Sequence, residues 1–316
     1  MQKRPLGKSG ISIAPLAFGG NVFGWTIDEK TSFSVLDAFV EYGFNLIDTA
    51  NIYSVWAPGN QGGESETIIG NWLKSSGKRD EVILATKVGM QMGDGSMGLK
   101  RNYILKSIDE SLKRLRTDYI DLYQSHQDDP EVPLEETLEA YDHLIKQGKV
   151  RAIGASNYKI NRLKEALNIS LNKHYPAYVC LQPHYNLWNR VEFETELEPL
   201  CLEKGIGVIN YSSLASGFLT VKYRSAADFH KSVRGARMDK YLNERGFRIL
   251  DALYKISLTY QTVPAAISLA WLMQCKSITA PIVSATSIDQ LSELAKAIEI
   301  TLTHENILTL NEASLP

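Results

Sequence analysis

The sequence predicts an α/β fold of the (β/α)8 TIM-barrel type, closed at the bottom by an N-terminal β-hairpin, as one barrel domain over residues 1–316. Three observations carry this expectation. About eight segments read as a strand followed by a helix, with no linker, low-complexity run or composition shift between them. The strand segments, such as Glu81-Val-Ile-Leu-Ala-Thr-Lys-Val88, show little polar alternation, as expected where both faces are buried. No G-x-G-x-x-G lies between a strand and a helix, which speaks against the doubly wound dinucleotide fold.

The elements follow in order. Arg4 to Ile13 holds two β-like pieces around Gly7 and Gly10 and reads as a hairpin. Pro15 to Gly20 reads as a buried strand whose closing glycines suit a sharp turn or close approach to a ligand. Thr31 to Tyr42 spaces Phe33, Leu36, Phe39 and Val40 as a helix does, and Gly43 stands at its C-cap. A strand ends at Asn45 to Ile47. Helices are expected over Ser65–Lys74, Arg101–Leu115, Pro133–Lys146, Asn161–Leu171 and Glu192–Glu203, with Pro133 suited to a first helical turn. Between and after them, strands are expected over Glu81–Val88, Tyr119–His126, Val150–Ser156, Val179–Gln182 and Gly207–Ser212. A long irregular stretch, Leu214 to Tyr241, precedes helices over Asn243–Tyr260 and Pro264–Gln274, a last strand Ile278–Ser284 and a helix Ile288–Ile298. The tail Thr303–Ser314 reads as one more helix.

Composition narrows the function classes. Hydrophobic residues make up 44% and charged residues 22%, as in a globular protein with a sizeable core. A net charge of −2 makes no electrostatic case for nucleic acid or an anionic membrane. No apolar run is long enough to span a bilayer, and the N-terminus lacks the apolar core of a signal peptide. The three cysteines, Cys180, Cys201 and Cys275, are scattered and form no CxxC pair, so neither disulfides nor a metal site is expected. A reducing cytoplasm is the natural compartment. Oligomeric state is not readable.

In a barrel of this kind chemistry gathers at the C-terminal ends of the strands. Those ends carry Asp48 with Tyr53, Lys87, His126, Ser156 with Asn157, Gln182, and Tyr211 with Ser212. Each has an ordinary alternative. Asp48 suits a cap, Tyr53 loop packing, and His126 a hydrogen-bonded core position. Lys87 is odder, because lysine is rarely buried unpaired. Four ionisable groups at successive strand ends are hard to explain as separate structural accidents. Together they make sense chemically. A phenol is a reluctant acid at neutral pH, and a nearby ammonium lowers its pKa. Lys87 can supply that charge, Asp48 can hold the ammonium, and His126 can orient a substrate carbonyl. Such a phenol can protonate an alkoxide as it forms. The hydride itself requires a cofactor.

These residues resemble those of the aldo-keto reductase superfamily, and the resemblance covers nearly the whole chain. Phe44-Asn-Leu-Ile-Asp-Thr-Ala-Asn-Ile-Tyr53 is similar to the strand carrying the family's Asp and Tyr, and Gly63-Glu-Ser-Glu-Thr-Ile-Ile-Gly70 to the helix that follows. Leu84-Ala-Thr-Lys87 is similar to the lysine strand, and Arg114 to His126 to the histidine strand with its lead-in. Gly148 to Asn157 resembles the third family signature. Gln182-Pro-His-Tyr-Asn-Leu187 and Tyr211-Ser-Ser-Leu-Ala-Ser-Gly-Phe-Leu219 resemble the cofactor-holding segments.

The resemblance implies NADPH-dependent reduction of aldehydes or ketones on a (β/α)8 barrel, with Tyr53 as proton donor and Asp48, Lys87 and His126 around it. Ser156, Asn157 and Gln182 would hydrogen-bond the nicotinamide carboxamide, and Tyr211 would stack on the ring. Ser212, Leu214, Ser216, Gly217 and Leu219 would lie along the pyrophosphate, with Lys222 adding charge. Gly20 and Asn21 would lie near the nicotinamide or the substrate. Ser284, Thr286, Ser287 and Gln290 would reach the adenosine end. The chain departs from the family pattern at Thr286, where an Arg or Lys usually meets the 2′-phosphate, and at Leu294, where an Asn often stands. A hydroxyl is a poor substitute for a cation on phosphate, so NADPH/NADP is the family expectation and NADH stays open. Arg234 or Arg237 could supply the missing charge, although the ordinary reading is two solvated cations. Only Thr301 to Pro316 follow the last main helix, so no long tail is expected over the pocket. Substrate shape would fall to Trp25, Tyr53, Val55, Trp56, Met90, Trp188 and the Leu214–Tyr241 stretch, with a small-molecule carbonyl compound as partner. Glycines at 59, 62 and 63 imply either a mobile loop or plain turns.

Two other readings use the same residues. One is an NAD-linked dehydrogenase acting on a sugar or other alcohol. The other is a cofactor-binding regulatory subunit with slow turnover.

Overall fold

The computed structural model covers all 316 residues. Two antiparallel strands, β1 (Arg4–Pro5) and β2 (Ser12–Ile13), form the hairpin. Eight parallel strands make the barrel wall: β3 (Ala17–Gly19), β4 (Leu46–Asp48), β5 (Ile83–Val88), β6 (Ile120–Ser125), β7 (Val150–Ser156), β8 (Cys180–Gln182), β9 (Gly207–Val208) and β10 (Ile282–Val283). They pair in chain order from β3 to β9, with β10 beside β3. The ring closes between β9 and β10. There Thr279 N–H donates to the Val208 carbonyl at 2.8 Å and Ile282 N–H to the Asn210 carbonyl at 3.0 Å. The expected strands Gly207–Ser212 and Ile278–Ser284 are therefore in contact, each with a short regular core, at the point where the tilted, twisted sheet closes into a ring.

Helices α1 (Glu29–Glu41), α2 (Glu64–Ser76), α3 (Arg101–Leu115), α4 (Leu134–Lys146), α5 (Ile160–Lys173), α6 (Glu198–Lys204), α7 (Glu244–Thr259), α8 (Pro264–Gln274), α9 (Ile288–Ala295) and α10 (His304–Ala313) surround the wall. α1 starts at Glu29 rather than Thr31, because Asp28 caps it by accepting from Thr31 N–H. Gly43 lies one residue past the cap, with φ 84°. The expected helix Glu192–Glu203 is interrupted by a π-turn at Phe193–Leu197. Pro199 has no N–H for the normal bond to Thr195, and Glu198 N–H reaches back to Phe193 instead. The expected helix Ile288–Ile298 ends as α-helix at Ala295 and tightens to 3-10 over Lys296–Glu299. No single helix is long and apolar enough to cross a membrane.

Side chains alternate in and out along each strand, and this places the site. Leu46, Ala85, Leu122, Ala152 and Cys180 point inward and join Leu6, Ile11 and Ile13 of the hairpin in a buried plug that fills the barrel bottom. Ile47, Leu84, Tyr123 and Ile153 point outward into the larger core beneath the helices. Two residues further along, the inward positions become Asp48, Lys87, Gln124, Gly154 and Gln182. The inner wall thus turns from apolar to polar toward the strands' C-terminal ends.

Candidate active site

Lys87 is the hub. Its Nζ donates to Asp48 Oδ2 at 2.6 Å, to the Thr49 carbonyl at 2.8 Å and to Tyr53 Oη at 2.9 Å. Lys87 and Asp48 are shut off from solvent, at 0% and 1% side-chain exposure. Burial pulls the ammonium's pKa down, but Asp48 and Tyr53 outweigh it and hold the pKa above its ordinary value. The ammonium is therefore retained throughout the neutral range.

The other oxygen of Asp48, Oδ1, accepts from Gln182 Nε2 at 2.9 Å and Gln124 Nε2 at 3.1 Å. The carboxylate cannot rotate without breaking one of these bonds. Burial pushes the Tyr53 phenol up from its ordinary value; Lys87 opposes the shift and Asp48 adds to it. The net direction is opposite to that expected from Lys87 alone, because desolvation of a phenolate outweighs one neighbouring ammonium. Tyr53 is thus a neutral, proton-bearing phenol.

His126 follows β6. Its ring meets that of Tyr53 edge-on, with centroids 5.8 Å apart. Burial and the Lys87 charge hold the imidazole well below its usual pKa, so it is neutral. Its Nδ1 is buried without a partner. The backbone around it is clamped: His126 N–H donates to the Val88 carbonyl at 2.8 Å and its carbonyl accepts from Asn157 Nδ2 at 2.9 Å.

A second row of polar groups runs from β7 to β10. Ser156 Oγ donates to the Gln182 carbonyl at 3.0 Å. Tyr211 Oη donates to Asn157 Oδ1 at 2.8 Å, and the Tyr211 ring stacks on His184 at 5.0 Å with 14° between planes. Ser212, Ala215, Ser216 and Gly217 all have φ between 47° and 101°. Only Gly217 adopts this left-handed conformation freely. At the other three a side chain resists it, so the turn after β9 is held there by its surroundings.

Ser284 Oγ donates to the Gly19 carbonyl at 2.7 Å, tying the end of β10 to the end of β3. Asn21, with its amide nitrogen toward Ser284 Oγ at 2.6 Å, accepts from Arg234 Nη2 at 3.0 Å. The Arg234 guanidinium also lies 5.2 Å from the Trp25 ring centroid and forms no ion pair with a carboxylate. The reading of Arg234 as a solvated surface charge is overturned: the irregular stretch after β9 reaches across the mouth and sets this cation beside β3. Arg237 is exposed. At the start of α9, Ser287 caps the helix through Gln290 N–H, while Gln290 Oε1 accepts from Thr286 N–H at 2.7 Å.

Next to Arg234, Trp56 lies 5.8 Å from Tyr53 and 5.7 Å from Trp25, so the three rings make one aromatic wall. Trp188 does not join it. Its ring packs edge-on against Tyr241 and Phe218, with Arg245 over it. The loop before α2 consists of turns: Gly59, Gly62 and Gly63 have φ of 87°, 95° and 94°, and the Glu64 carboxylate accepts from Gln61 and Gly62 N–H.

A sequence model described as the aldo/keto reductase family matches residues 15–314. The chain belongs to the aldo/keto reductase family. It is 33% identical to the uncharacterized oxidoreductase YrpG of Bacillus subtilis, over 99% of this chain and 95% of that protein. It is 41% identical to the aldo-keto reductase YhdN of the same organism, over 68% of this chain and 61% of YhdN. It is also 31% identical to a probable voltage-gated potassium channel subunit beta of Arabidopsis thaliana, over 95% of this chain and 92% of that protein. The family is one of oxidoreductases acting on small-molecule carbonyl compounds, and its barrel is the fold seen here.

Two residues of this aldo/keto reductase were not singled out from sequence. Thr49 offers Lys87 a carbonyl, which no side-chain pattern can reveal. Gln124 lies within the expected strand Tyr119–His126. Its position two before His126 fixes it on the same inward face, and that period was the available signal.

Proposed function

We propose that this protein reduces aldehydes or ketones to alcohols with a nicotinamide cofactor, with Tyr53 as the proton donor. The observation that carries the reading is the unbroken line Asp48 Oδ2–Lys87 Nζ–Tyr53 Oη, at 2.6 and 2.9 Å. A phenol that keeps its proton at neutral pH, anchored on a permanent ammonium, is a ready acid. As negative charge develops on a substrate oxygen, Tyr53 passes its proton there and Lys87 stabilises the phenolate left behind. His126, neutral and with an unpartnered Nδ1, orients the carbonyl by hydrogen bonding. Asp48 keeps Lys87 charged and in place.

The residues present fit a dinucleotide. The left-handed turn from Ser212 to Gly217 is a suitable backbone cradle for pyrophosphate, and Leu214, Ser216, Leu219 and Lys222 belong to the same segment. Arg234, half-buried without an anionic partner, favours a phosphate close by. Ser156, Asn157 and Gln182 would hold the carboxamide, Tyr211 the ring face, Gly20 and Asn21 the nearby wall, and Ser284, Thr286, Ser287 and Gln290 the adenosine end. When bound, the cofactor supplies the hydride. NADPH is the preferred form in this reading, with Arg234 taking over the charge that Thr286 lacks. Substrate enters past Trp25 and Trp56, whose rings favour an apolar or aromatic carbonyl compound. The compartment in this reading is the cytoplasm.

The test is fluorescence titration with NADPH and NADH, followed by a panel of aldehydes and ketones with the preferred form. Turnover on aldehydes supports a reductase. Turnover only on sugars or alcohols with NAD would favour the oxidising direction. Tight binding with negligible turnover on every substrate would favour the regulatory reading to which the channel-subunit relative points.

A further inference from the structure

Beneath the Asp48–Lys87–Tyr53 line lies a fully buried glutamine. Gln124 projects inward from β6, in register with Lys87 on β5 and Gly154 on β7. A side chain at position 154 would crowd it: a Cβ there would come 3.0 Å from Gln124 Cγ. The layer directly below, Leu46, Ala85, Leu122 and Ala152, is apolar. Packing alone would have been served by an apolar residue at 124.

Hydrogen-bond polarity gives Gln124 a specific task. A carboxylate oxygen only accepts, so both glutamines must turn their nitrogens toward Asp48 Oδ1. Gln182 Nε2 has two hydrogens. One goes to Asp48 Oδ1 at 2.9 Å and the other to Gln124 Oε1 at 3.2 Å. Gln124 Nε2 completes the circuit to Asp48 Oδ1 at 3.1 Å. The donors of Gln182 are then spent, and only its oxygen remains. We propose that Gln124 is a positioning residue that holds the Asp48 carboxylate against Lys87 and locks the Gln182 amide so that Gln182 meets a bound nicotinamide solely as an acceptor. The second half rests on the cofactor reading above. It sets which way the carboxamide lies: its NH2 group must face Gln182.

Two variants of the full-length protein test this. Gln124→Met keeps the volume and removes both bonds. It is expected to weaken NADPH binding by about tenfold, the worth of one lost hydrogen bond within a charged network, and to lower kcat as well. Gln124→Glu keeps an acceptor for Gln182 and sets a second carboxyl group beside Asp48. The charged or titratable groups facing it are Asp48 on β4, Lys87 on β5, Cys180 on β8, and Tyr53 and His126 at the mouth. The Cys180 thiol is held neutral by burial. A like charge raises the pKa of the new carboxyl. Protonated, it donates to Asp48 as the amide does; ionised, it repels Asp48. The thermal midpoint of the cofactor-free variant should therefore lie close to the native value at pH ~5 and fall progressively below it toward pH ~8. A deficit that is constant with pH, or none, would overturn the hold on Asp48. NADPH affinity within twofold of native in Gln124→Met would overturn the lock on Gln182. If the native protein binds neither NADPH nor NADH, the cofactor reading and the lock fail together, while the cofactor-free pH series still decides the hold on Asp48.

Discussion

Lys87 Nζ sits 2.6 Å from Asp48 Oδ2 inside a barrel that admits almost no solvent to either side chain. A buried pair of this kind is costly to break from one side, because the surviving charge is left without a counter-ion. Asp48→Asn should destabilise the protein by about 3–5 kcal/mol, the usual range when one member of a buried pair is lost. The double variant Asp48→Asn/Lys87→Met should recover much of that loss, since it leaves no orphan charge. Urea unfolding of the native protein, the two single variants and the double variant checks this. A double variant as unstable as the sum of the two singles would contradict it.

His126 predicts how stability depends on pH. Its folded pKa is depressed, whereas in the unfolded chain the imidazole titrates near ~6.5. The unfolded state therefore takes up a proton that the folded state refuses, and stability is lost as pH falls below ~6.5. The thermal midpoint of the cofactor-free protein should drop between pH ~7 and pH ~5, and His126→Gln should flatten that slope. An unchanged slope would show that His126 takes up its proton in the fold as readily as in the unfolded chain.

Arg234 bears on cofactor choice. If its guanidinium supplies the charge absent at Thr286, Arg234→Ala should weaken NADPH by about tenfold or more, as expected for a lost charge-assisted bond, and NADH by much less. Titrating both cofactors against the variant gives the ratio directly. Equal weakening of the two would assign Arg234 to the shared pyrophosphate and leave preference to the α9 start.

The barrel was legible because its strands are largely apolar and alternate regularly with helices whose faces repeat at helical spacing. The inward face of β4, β5 and β6 could be read by counting in twos from Leu46, Ala85 and Leu122. What could not be read arises from three-dimensional closure. The Arg234–Asn21 contact joins segments far apart in the chain. The packing of Trp188 against Tyr241 and under Arg245 joins it to the far end of the irregular stretch beyond β9. The net direction of the Tyr53 shift depends on burial, which a motif does not state. The π-turn before α6 was foreshadowed only by Pro199.

In the proposed function Tyr53 delivers the proton while Lys87 holds it ready. The most direct test is single-turnover reduction of an aldehyde by native protein and by Tyr53→Phe, each preloaded with its preferred reduced cofactor. Cofactor affinity should be nearly the same in both. The rate of cofactor oxidation should fall by ~10²–10⁴ in the variant, the range of a lost general acid. A Tyr53→Phe rate within a few-fold of native would contradict Tyr53 as the proton donor.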